Sequence, residues 1–73
     1  MAYQMYRIHL IDGSVIEIAE EYYLPEGKGF INHYLKAKDE ELFAFGDKIA
    51  GFSYVPKKNI VFISTGDVKV VDN

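Results

Sequence analysis

The chain has 73 residues, no cysteine, a formal net charge of −3, and a composition that is 49% apolar and 15% aromatic. That length makes one domain, residues 1–73, near the lower limit for a self-sufficient core, because a chain this small buries only about 60% of the surface its unfolded form exposes. The missing cysteine excludes disulfides and thiolate metal sites, and the acidic balance disfavours polyphosphate partners, whose affinity comes mainly from Lys and Arg.

The first element is firmly marked. In residues 4–10 Tyr6, Ile8 and Leu10 alternate with Met5, Arg7 and His9, the period of a strand with one buried face. A second alternation runs from Ser14 to Ala19, and Asp12-Gly13 between them signals a hairpin. A three-residue loop Ile11-Asp12-Gly13, with Gly13 left-handed, sets Ile8 against Ile16 and Tyr6 against Ile18. It also sets Arg7 against Glu17 on the opposite face, a favourable cross-strand pair. A two-residue loop would pair Ile8 with Glu17 and mix the faces.

Residues 20–29 are punctuation, with Pro25, Gly27 and Gly29 forbidding a regular element. The Gly27-Lys28-Gly29 triplet is not a phosphate loop. It has no glycine five positions upstream of Gly27, and no Ser or Thr follows the lysine. Its expected role is to lead the chain into a helix over roughly 29–38, where Phe30, Ile31, Tyr34 and Leu35 share a face. The alternation of Phe30, Asn32 and Tyr34 leaves a strand as the second reading of this segment.

Beyond "DEE" at 39–41, Leu42–Phe45 reads as a strand, Gly46-Asp47 as a turn, and Ile49–Val55 as a strand. Pro56 opens a turn. The β-branched run Ile60–Ser64 reads as a central strand, "TGD" at 65–67 as a tight hairpin, and Val68–Val71 as a last strand. The expected fold is α+β and β-rich: a small antiparallel bent sheet or half-open barrel of five to six short strands with one short helix, in the order β-β-α-β-β-β-β.

No catalytic constellation emerges. Ser14, Ser53, Ser64 and Thr65 belong to no nucleophile motif. The acids Glu20, Glu21 and Glu26, and Asp39, Glu40 and Glu41, lack calcium-loop spacing and read as solvated charge. His9 and His33 have no ligand spacing around them. The expectation is a non-enzyme without metal or cofactor. No leader pattern or membrane span is apparent, so the cytoplasm is the expected compartment.

Eleven residues are Tyr or Phe, more rings than so short a chain readily encloses, and exposed aromatic patches mark interfaces. The expected function is a protein-interaction module that self-associates, as a homodimer or higher, through an aromatic sheet face carrying Tyr3, Met5, Arg7 and His9. The alternative is a single-stranded nucleic-acid binder in which Tyr54 stacks on bases while Lys57 and Lys58 track the backbone. The charge distribution favours protein: residues 1–27 carry −4, residues 28–45 balance, and residues 46–73 carry +1. No family is identified from these motifs.

Overall fold

The computed structural model describes residues 1–25 and 27–72. Strand β1 spans Ala2–Leu10 and β2 Val15–Glu21; helix α1 spans Phe30–Lys36; β3 spans Leu42–Asp47 and β4 Gly51–Pro56. A single 3-10 turn at Lys57–Asn59 leads into β5, Ile60–Val70. The strands form two antiparallel sheets, ordered β2-β1-β5 and β3-β4. Bent sheets with one short helix follow the expected class and order.

The first hairpin forms with the register that hydrophobic alternation requires. Ile8 faces Ile16, Tyr6 faces Ile18 and Arg7 faces Glu17. Leu10 N–H donates to Ser14 O and Gly13 N–H to Leu10 O, both at 2.9 Å, and Gly13 has φ 89°. On the outer face Arg7 Nε lies 3.5 Å from Glu17 Oε2.

Four local expectations are corrected. The hairpin placed at residues 65–67 is a bulge instead, and the last two strands run on as β5. Gly66 is not among the left-handed glycines, and β1 is long enough to pair with both halves. Between the pairs Gln4–Val68 and Tyr6–Thr65, β5 spends two residues against one on β1. That is a bulge, which bends a strand without ending it. The Gln4 amide fills the gap by donating to Gly66 O at 2.9 Å.

The run Ile60–Ser64 is an edge, since β1 is the central strand of its sheet. The turn placed at Gly46-Asp47 falls two residues later, at Lys48–Ala50, with Gly46 and Asp47 inside β3. There the Asp47 carboxylate accepts from Ile49 and Ala50 N–H at 2.9 and 2.6 Å, and Ile49 is left at the loop tip. Leu35 points to solvent rather than the core, because it lies about 140° around the helix from Phe30.

The core lies between the two sheets. Ile8 of β1 is fully buried; Phe30 and Ala37 come from the helical segment, Phe43, Phe45 and Val55 from β3-β4, and Ile60 from β5. Phe30 is the hub, with ring centroids 5.6 Å from Phe43 and 5.8 Å from Phe45. The helix has no side-chain cap from its own N-cap residue. Its first amide, Phe30 N–H, instead donates to Glu20 Oε2 at 2.6 Å, tying the helix to β2. Tyr6, Leu10, Ile16, Ile18, Ile31, Tyr34 and Ile63 complete the packing.

Candidate interaction surfaces

Strand alternation brings Tyr3, Met5, Arg7 and His9 together on the outer face of β1. Tyr3, Met5 and His9 are half-buried and Arg7 is exposed. Across the β1–β5 pairing His9 meets Phe62, and the rings stack at 3.8 Å and 12°. His9 Nε2 also lies 3.1 Å from Ser64 Oγ. Tyr3 OH donates to Met1 Sδ at 3.6 Å. Phe62, 53% exposed, therefore belongs to this face. Sequence periodicity missed it because its place depends on a pairing between segments more than fifty residues apart.

A second surface lies on the outside of the β3-β4 ribbon. The register sets Ala44 against Tyr54 and Gly46 against Phe52. Small residues thus stand opposite the two rings and leave their faces open. Phe52 and Tyr54 are 50% and 64% exposed, with centroids 6.4 Å apart. Leu42, at 56%, extends the strip, and Ile49 projects nearby at 99%. Alternation of Phe43 and Phe45 was the available signal: if those two face inward, their even-numbered neighbours and the cross-strand partners of those neighbours face outward.

The residues of the nucleic-acid alternative do not converge in this way. Lys57 Nζ donates to Ala37 O at 2.9 Å and sits 4.7 Å above the Tyr34 ring. Lys58 Nζ lies 3.4 Å from Glu40 Oε2. Tyr54 points outward from the ribbon, while the Lys57 ammonium is held at the C-terminal end of the helix.

Between the free edges of β2 and β3 opens a cleft of about 530 Å³, lined by residues 17–20 on one side and 44–47 on the other. Gly29, Phe30 and His33 lie beneath it. His33 is itself engaged, its Nε2 2.9 Å from Glu41 Oε2. Nearby, burial and then the Glu20 charge push the Tyr6 hydroxyl above its ordinary value of 10.0. Glu26 of the first acidic group lies outside the described residues. Among the described residues no three His, Asp or Glu side chains are placed to hold a metal ion, and no helix is long and apolar enough to cross a membrane.

No protein-family model, curated protein or solved structure matches the chain.

Proposed function

We propose that the chain is a non-catalytic, cytoplasmic protein-interaction module that self-associates through an aromatic sheet face. The observation that carries this reading is surplus surface. The chain exposes 5483 Å², whereas the scaling for compact monomers gives about 4,600 Å² at its mass. The difference, roughly 900 Å², is close to the area of about 800 Å² that each partner contributes to a standard interface. The radius of gyration points the same way: 12.8 Å against about 11.2 Å for a compact domain of this length.

Exposed rings say where the surplus lies. Of the eleven aromatics only Phe30, Phe43 and Phe45 are buried, and Tyr22, Tyr23, Phe52, Tyr54 and Phe62 are exposed. Tyr22 and Tyr23 pack edge to face on each other just past the end of β2. The other exposed rings lie on two sheet faces, the β1 face of Tyr3, Met5, Arg7 and His9 joined by Phe62, and the ribbon face of Phe52 and Tyr54. The ribbon face is the better supported, because the side chains of its strip are uncharged and mating two copies desolvates no ion. The β1 face holds the Arg7–Glu17 pair, which a partner would have to cover. The nucleic-acid alternative draws little support, since Lys57 is committed inside the fold and Lys58 is paired.

Sedimentation equilibrium across micromolar concentrations tests the reading. A dimer or larger species is expected. It should revert to monomer in a Phe52→Ser, Tyr54→Ser variant and survive Met5→Ser with Phe62→Ser. The reverse pattern would move the interface to the β1 face, and a monomer throughout would reject self-association.

A further inference from the structure

The two strands beside the cleft each have one hydrogen-bonded neighbour, and residue parity tells which backbone groups are left over. In an antiparallel pair a residue directs its N–H and C=O to the same side, and successive residues alternate sides. Leu10 N–H donates to Ser14 O and Tyr22 N–H to Ala2 O, so the even-numbered residues of β2 bond to β1. Glu17 and Ala19 therefore direct theirs into the cleft. On the other side Lys57 N–H donates to Glu41 O, so the odd-numbered residues of β3 bond to β4. Ala44 and Gly46 direct theirs into the same cleft. Among the described residues no loop or turn backbone group bonds to these four.

We propose that this cleft accepts an extended peptide of another protein as an added strand, bonded to β2 on one side and β3 on the other. Each lining run is four residues long, about 13 Å of strand at ~3.3 Å per residue. Main-chain pairing of this kind supplies affinity, and alternate side chains supply specificity. Inward side chains of the guest meet Ile18, Phe30 and Phe45, which calls for apolar residues. The titratable side chains along the cleft are Glu17, Glu20, Asp47 and His33. Arg7 offsets Glu17 from the outer face and Glu41 faces His33. Glu20 accepts from Phe30 N–H and Asp47 from Ile49 and Ala50 N–H, bonds that leave both carboxylates charged. Among the described residues neither Lys nor Arg lines the cleft, so the guest carries Lys or Arg between its apolar residues. This site borders both self-association faces, sharing Ala44 and Gly46 with the ribbon and Glu17 with the β1 face, but it uses their free backbone edges and does not depend on self-association.

The test is fluorescence polarisation with a labelled eight-residue peptide of alternating Val and Lys, run on the Phe52→Ser, Tyr54→Ser variant so that self-association does not intervene. Saturable binding is expected, at least tenfold weaker for the Val/Glu analogue and for a peptide N-methylated at alternate residues. Ala19→Pro and Ala44→Pro, which remove one free edge N–H each at positions where an edge strand tolerates proline, should weaken it similarly. The methylated peptide keeps the test decisive should either proline variant unfold. Equal binding by the methylated or acidic peptide, or none by any, overturns the proposal. So does slowed exchange of the Ala19 and Ala44 amides in concentrated protein alone, which would make the guest a second copy.

Discussion

The Lys57 ammonium sits 4.7 Å from the centre of the Tyr34 ring while donating to Ala37 O at 2.9 Å. One side chain thereby closes the open C-terminal end of α1 and ties it to the turn that precedes β5. A cation near the last carbonyls also opposes the negative end of the helix dipole.

Replacing that group should therefore cost stability. Lys57→Met keeps most of the stem but loses a charge-assisted hydrogen bond and a cation–π contact, together about 1–2 kcal/mol. Lys58→Met breaks only an exposed pair with Glu40 and should cost less than about 0.5 kcal/mol. Urea denaturation of the two variants checks the difference, and equal losses would remove Lys57 from its structural role.

Two glycines separate conformational cost from steric cost. Gly13 and Gly46 both have left-handed φ, 89° and 129°. A Cβ on Gly13 meets open space, whereas one on Gly46 collides with the backbone carbonyl oxygen of Gly51. Gly13→Ala should cost about 1–2 kcal/mol, the penalty of a left-handed backbone alone. Gly46→Ala adds a collision that no rotamer relieves and should cost about 3 kcal/mol or more. Similar denaturation midpoints for the two would contradict the close approach of β3 to β4.

How much of this was legible beforehand follows from the range of the forces involved. The register of the first hairpin was readable because the turn is local and a one-residue slip would put Glu17 against Ile8. The inward face of β3 was readable from Phe43 and Phe45 for the same reason. The bulge at Gly66-Asp67 was not, since a Gly-Asp pair marks a turn locally and only the length of β1 converts it into a continued strand. The exposure of Phe62 and the engagement of Lys57 depend on partners, His9 and Tyr34, brought near by the tertiary fold. The cleft was also hidden: it exists because β2 and β3 fail to pair, and alternation patterns carry no information about missing neighbours.

Asp12 supplies an acid-limb prediction. Its carboxylate accepts from Ser14 Oγ at 2.6 Å and Ser14 N–H at 2.9 Å, and these bonds, the hydroxyl first, hold it below its ordinary value of 3.8. A carboxyl lowered in the folded state stabilises fully above its unfolded value and loses that contribution as pH falls through the folded one. Stability should thus decline with this group below pH 3.8. In Ser14→Ala the Asp12 titration, followed by NMR, should move upward towards 3.8 and the acid sensitivity should lessen. An unmoved titration would mean that the Ser14 hydroxyl bond does not set it.

Tyr6 and Glu20 give the corresponding alkaline prediction. Burial first, and the Glu20 charge second, raise the Tyr6 hydroxyl above 10.0, and the same Glu20 carboxylate accepts from Phe30 N–H. A group whose folded value is raised contributes stability in full below its unfolded value and loses it as pH rises through the folded one. Alkaline unfolding should therefore begin above pH 10.0 with a contribution from Tyr6. Glu20→Gln keeps an acceptor for the helix amide and removes the charge, so the Tyr6 titration should fall part of the way back, burial holding the remainder. Glu20→Ala leaves Phe30 N–H without its partner and should cost about 1–2 kcal/mol, the usual loss of a helix cap. Carbon-detected NMR of labelled tyrosine and urea denaturation separate the two effects. A Tyr6 titration unchanged in Glu20→Gln would show that burial alone sets it.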